Sequence, residues 1–185
     1  MAIREIKTIG EDVLRKEARK VKQFDKKLHQ LLNDMAETMR DAPGIGLAAP
    51  QVGVLERVIV IELPEDEKDP QSGKLFEFVN PEIIRRSAEE VEGEEGCLSI
   101  PNIVGDVWRA EAVVVKGQDR YGKPQRLEAR EWLARAFQHE IDHLNGVLFI
   151  DRVEGVDKLR RLVKVVDEKG EEHWEAISLH KLVPA

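Results

Sequence analysis

The sequence has one cysteine, Cys97, in 185 residues, so no internal disulfide can form and a disulfide-stapled scaffold is excluded. Long apolar runs are missing too. Those present, such as Val58–Ile61 and Ala112–Val115, fall far short of the roughly 18 residues that a membrane-spanning helix needs. The opening Met1-Ala2-Ile3-Arg4-Glu5 lacks the apolar stretch of a secretory signal, and the expected compartment is a reducing cytoplasm. Basic residues are not in excess: 29 Lys and Arg against 36 Asp and Glu leave a net charge of −7. A globally acidic chain makes a poor binder of DNA or anionic membranes, and neither partner is expected. One local basic group, Lys158, Arg160, Arg161 and Lys164, reads first as a solvated face. No internal repeat or low-complexity tract interrupts the chain.

What is present describes one globular domain, residues 1–185, with 42% hydrophobic and 35% charged residues. Leu28, Leu32, Met35 and Met39 recur on one face of a helix that Asp25 caps and Pro43-Gly44 ends. Arg57–Glu62 and Leu75–Val79 read as strands on either side of a polar surface loop, Pro64–Lys74. Ala112–Lys116 and Gln125–Arg130 flank a turn at Asp119–Lys123. A second helix runs from about Glu131 to Asn145, with Leu133, Phe137, Ile141 and Leu144 as its apolar stripe and Gly146 just past its end. Asp157–Lys164 fits one or two helical turns, and Leu162–Val166 with His173–Ile177 fits a further hairpin. The order of elements predicts an α+β fold.

The chemistry sits first in His139-Glu140-Ile141-Asp142-His143. Histidines four apart on a helix face the same way, so two imidazoles converge as metal ligands. Glu140 flanks them where a general base belongs, within reach of a water activated at the metal. Two polar histidines on a wet helix face are the bland alternative. A catalytic metal takes a third protein ligand and keeps one position open. Cys97, in Glu95-Gly96-Cys97-Leu98-Ser99, offers a thiolate, although a lone cysteine is often only a small buried hydrophobe. Fe²⁺ and Zn²⁺ both accept a Cys/His/His set. The third segment, Gly44-Ile45-Gly46-Leu47-Ala48-Ala49-Pro50-Gln51, formally matches a dinucleotide fingerprint. Its context is wrong, because a helix precedes the glycines and a proline follows. Gly44–Gly46 fits better as open extended backbone that a peptide can pair against, and Gln51 as an uncharged oxyanion donor.

Together and in this order, the three segments resemble the motifs of the peptide deformylase family. The similarity is strongest over residues 3–152, and 153–185 reads as a divergent extension. The resemblance implies a single compact α+β domain, with mixed or antiparallel sheets packed around a central helix carrying the two histidines. It implies hydrolysis of N-formylmethionyl peptides on newly made proteins, releasing formate. The implied metal ligands are Cys97, His139 and His143, holding one divalent ion, Fe²⁺ in the cell, with Zn²⁺, Ni²⁺ or Co²⁺ as substitutes. Glu140 is the implied acid and base, and the Gln51 side chain and Leu98 N–H are the oxyanion donors. Glu95 and Arg109 are the implied ion pair beneath the site. Ile45, Gly46, Trp132 and Ala136 are expected to bind substrate. Arg135 stands where an apolar residue is expected, and either points outward or touches the peptide. A monomer is expected, with the ribosome surface near the exit tunnel as a further partner through Lys158, Arg160, Arg161 and Lys164. The rival readings are a zinc endopeptidase of the His-Glu-x-x-His kind, whose third ligand lies downstream, and a non-catalytic metal-binding module.

Overall fold

The computed structural model describes residues 2–179. Asp25 is extended, and its carboxylate accepts the free N–H groups of Lys27 and Leu28, which starts helix α1, Lys26–Asp41. Leu28, Leu32, Met35 and Met39 are all buried, so the apolar stripe is the packed face. Helix α2, Glu131–Leu144, ends before Gly146, whose φ is +71°. A Cβ there would lie 2.7 Å from the carbonyl carbon of Arg15, so only glycine lets the chain leave the helix at this point.

Among the described residues, nine strands form two sheets. Five of them are β1 Gly46–Ala48, β2 Val58–Glu62, β3 Leu75–Arg86, β6 Ala112–Gln118 and β7 Pro124–Arg130, in the order β1-β2-β3-β6-β7. The other four are β4 Glu90–Cys97, β5 Ile100–Ala110, β8 Leu159–Val166 and β9 Glu172–Ser178, in that order. Among the described residues every neighbouring pair of strands is antiparallel, and the one parallel contact is an isolated bridge between Arg19 and Glu56. The expected mixture of directions resolves to the antiparallel case.

The run Val58–Ile61 is apolar throughout because the first sheet is covered on both faces. Ile59 and Ile61 pack with Phe78, Val113 and Val115 against Leu133, Phe137 and Ile141 of α2. Val58 and Val60 turn the other way, to Leu32, Met35 and Met39 of α1. Helix α2, which carries His139 and His143, also touches β5 of the second sheet and so contacts both sheets. The second sheet packs through Ile100 and Val107 on Leu14, Leu148 and Phe149.

Two local expectations change. Of the helical turns expected over Asp157–Lys164, only a single 3-10 turn forms, at Val156–Lys158, and β8 begins at once with Leu159. Pairing with β5, Val104 opposite Arg160 and Gly105 opposite Leu159, satisfies the backbone there, and β8 continues into the expected hairpin with β9. Strand β3 runs on past Val79 through Pro81, because a register shift between Val79 and Glu82 takes the proline out of the ladder.

Because Phe137 is fully buried between sheet and helix, Phe137→Ala is expected to lower stability by about 3–5 kcal/mol. Asp25→Ala is expected to cost about 1 kcal/mol through the lost cap. Urea denaturation midpoints at unchanged slope check both values.

Candidate active site

Cys97 closes β4 at the tight turn into β5, where a register shift follows Gly96. His139 and His143 stand one turn apart on α2, with their Nε2 atoms 3.3 Å from each other. Cys97 Sγ is 3.4 Å from His143 Nε2, and the three donors lie within 4.8 Å of one another. Donors about 2.1 Å from a shared tetrahedral ion sit about 3.4 Å apart, so the spacing suits a metal. The surroundings favour positive charge at this centre. Burial disfavours a charged His139, yet hydrogen bonds to Cys97 and Glu95 hold its pKa well above the usual histidine value. Burial, with the charges of His139 and Arg109, pushes His143 well below it and keeps that ring neutral.

Glu140 is the next residue along the helix and is buried beside the triad. Burial, the largest effect, outweighs the attraction of His139 and lifts its pKa to about 7. Its Oε2 has no hydrogen-bond partner in the protein, which is rare for a buried carboxylate. Gly46 makes room for it: a Cβ at Gly46 would fall 2.8 Å from the Glu140 carboxyl carbon. Gln51 is oriented from both ends. Its Oε1 accepts the Ala48 N–H at 2.9 Å, and its Nε2 donates to Ser99 Oγ at 3.1 Å and lies 3.5 Å from Cys97 Sγ.

Beneath the triad runs a chain of buried charge. His139 Nδ1 faces Glu95 Oε1 at 3.1 Å, which leaves Nε2 for the centre. Arg109 donates to both oxygens of Glu95 and, from Nη1, to Asp142 at 2.7 Å. Arg152 donates to the other side of Asp142 at 2.7 Å. Burial pushes the Glu95 carboxyl up, but His139 and Arg109 together hold it below the usual carboxylate value.

A cavity of about 510 Å³ opens onto the triad. The family model for polypeptide deformylase matches residues 3–159. The chain belongs to the peptide deformylase family. A curated peptide deformylase of Caldicellulosiruptor bescii is 53% identical over 157 residues, 83% of this chain and 87% of the relative. That of Symbiobacterium thermophilum is 49% identical over 176 residues, 95% of this chain and 75% of the relative. The crystal structure of a peptide deformylase from Synechococcus elongatus, in complex with actinonin, superposes with a TM-score of 0.75 at 48% identity, covering 81% of this chain and 80% of that one.

The deformylase chain brings nearly all the residues expected from its sequence to one place. Ile45, Gly46, Gln51, Cys97, Leu98, Trp132, Ala136, His139 and Glu140 line the cavity, and His143 stands behind Cys97 and His139. Arg135 does not point outward: it lines the cavity and is tied to the second sheet. Its guanidinium binds the backbone carbonyls of Val91, Gly93 and Val107 at 2.7–3.2 Å, tying α2 to β4 and β5. Sequence reasoning assigned no part to Ser99, Asp142 or Arg152; Ser99 meets Gln51 from 48 positions away, and Asp142 meets Arg109 from 33. Leu162 was missed as a lining residue as well.

Removing the Glu95 carboxylate frees the outer nitrogen of a proposed ligand. Glu95→Ala is therefore expected to weaken metal binding by roughly 10–100-fold, read by Co²⁺ titration against a competing chelator. Arg109→Ala removes the buried cation shared by Glu95 and Asp142 and is expected to cost about 3–5 kcal/mol in denaturant unfolding.

Proposed function

We propose that this deformylase removes the formyl group from N-formylmethionyl peptides of newly made proteins, with Cys97, His139 and His143 as metal ligands and Glu140 as the proton carrier. The observation that carries the reading is Glu140: a buried carboxylate with a free oxygen and a pKa of about 7, beside a three-donor centre. A divalent ion held there supplies Lewis acidity, making water a better nucleophile and drawing electron density from the formyl oxygen. Fe²⁺ is the proposed cellular ion, with Zn²⁺, Ni²⁺ and Co²⁺ as substitutes, since one thiolate and two imidazoles accept all four.

The residues divide the remaining work. Glu140 takes a proton from water as the oxygen attacks the formyl carbon. The charge that develops on the formyl oxygen meets the Gln51 amide and the Leu98 N–H. Gln51 is pinned by Ala48 and Ser99, so its donor need not reorganise as the charge forms. Glu140 then gives its proton to the leaving nitrogen, the C–N bond breaks, and formate and a free amine depart. The formyl carbon carries only hydrogen, so a tight site accepts it where acetyl would clash. Ile45, Trp132 and Ala136 offer apolar surface to the methionine side chain. The peptide backbone is proposed to pair along Gly44–Gly46, beside β1 at the end of its sheet.

Two rivals lose support. The only group of three metal-ligating side chains found among the described residues contains the upstream Cys97, not the downstream third ligand of a zinc endopeptidase. A purely structural metal module needs a closed fourth ligand, and Asp142 is held by two arginines instead. Among the further partners, a ribosome contact through the basic group near the C-terminus gains little. Lys158, Arg160 and Lys164 are paired with Glu92, Asp106 and Glu172 in turn. No helix of the described residues is long and apolar enough to cross a membrane, and a monomer in the cytoplasm is the proposed state.

Formate release from formyl-Met-Ala-Ser, by protein purified without oxygen and loaded with Fe²⁺ or Zn²⁺, tests the reading. Glu140→Gln is expected to lower kcat by about 10²–10⁴-fold while metal content stays at one ion. As a base Glu140 must be ionised, so kcat/KM is expected to rise with pH along a limb at or below about 7, since a nearby cation lowers its pKa. The limb should disappear in Glu140→Gln. A limb that survives would assign the proton transfer to another group.

A further inference from the structure

Leu162 is the one lining residue of the cavity that comes from the β8–β9 hairpin, and it lies beyond the residues that the family model matches. Strand β8 is held firmly in place. It pairs with β5 through Ile103, Val104 and Gly105. Arg160 donates to Asp106 at 2.7 Å and to Glu94 at 2.9 Å, and Lys158 to Glu92 at 2.7 Å. Side chains alternate along a strand, so Leu162 shares its face with Arg160 and Lys164, while Val163 points the other way. Opposite Leu162 on β9 is Ala176, and opposite Lys164 is Trp174, which is 60% exposed. Val104 pairs with Arg160 and so shares this face, and the cavity wall thus continues from Val104 through Leu162 onto one face of the hairpin.

We propose that Leu162, with Val104, seats the third residue of the formylated peptide and makes the enzyme favour an apolar side chain there, a proposal that rests on the deformylase reading. The reach is consistent. Gly96, next to the metal ligand Cys97, pairs with Val104, which pairs with Arg160. Two strand spacings place β8 roughly 10 Å from the metal side of the cavity, and an extended peptide advancing roughly 3.3 Å per residue covers that in three residues. The contact lies far from the reacting carbon, so it acts alike on bound substrate and transition state. It therefore belongs to KM rather than kcat.

The test compares formyl-Met-Ala-Leu with formyl-Met-Ala-Ser on the metal-loaded full chain. The wild type is expected to favour leucine by about five-fold in kcat/KM, through KM, from partly burying one apolar side chain. Leu162→Ser is expected to bring the ratio to about one, Leu162→Met to retain it, and Val163→Ala, on the opposite face, to retain it as well. An unchanged ratio in Leu162→Ser, or no preference in the wild type, overturns the proposal. Loss of the ratio in Val163→Ala too would assign it to hairpin stability and overturn the role of Leu162. No formate from either peptide would instead overturn the deformylase reading, and this proposal with it.

Discussion

Arg109 holds two carboxylates that belong to different layers of the molecule. Glu95 comes from β4, Asp142 from α2, and the guanidinium from β5 sits between them with almost no exposure to solvent. Charges so deeply buried persist only when each is paired and hydrogen-bonded. The pairing therefore fixes sheet and helix in one register. The consequences spread outward from that point. Glu95 orients His139, Asp142 gains Arg152, and Arg135 adds a second tie by reaching back to three carbonyls of the sheet. Cys97 reaches the two histidines because the strand that ends in it cannot slide along the helix. The ion pair contributes alignment more than net stability, since its attraction is largely offset by desolvation.

Glu140 shows the same economy of surroundings working in the opposite sense. Glu95 has a cation against it and is held ionised. Glu140, on α2, has no cation bonded to it and is lifted into the neutral range. Two glutamates within one small site thus hold protons differently because one is paired and the other is merely buried. A group that must both take and give a proton is best placed near the working pH. The bare backbone at Gly46 lets the carboxylate lie against β1 with no side chain between them.

Helix α2 and its stripe were legible from the spacing of Leu133, Phe137, Ile141 and Leu144, and α1 from its cap and its methionines. The candidate ligands were legible because two lie four apart and the third is the sole cysteine. Strands β4 and β5 left little trace. Glu90-Val91-Glu92-Gly93-Glu94-Glu95-Gly96 is rich in residues that strands disfavour, and its pairing rests on the arginines and lysine of other segments. The same holds for Arg135, which looks misplaced beside an apolar pocket until the carbonyls it binds are known. Contacts between segments tens of residues apart carry no local pattern. The basic group near the C-terminus likewise read as a free surface, because the acidic partners of Arg160 and Lys158 lie 54 and 66 positions away.

Strand β1 is three residues long and ends its sheet. An unpaired strand edge is a standing invitation to other chains, and folds usually blunt it with charge, proline or a covering helix. The proposed pairing of the peptide with this edge forbids those remedies along the cavity. Brevity takes their place: Pro43 and Gly44 precede the strand, and a 3-10 turn begins at Ala49. Such an edge is long enough to grip the first residues of an extended peptide and too short to template the open-ended stacking of one molecule on another. The protection against aggregation is therefore written into where the strand stops.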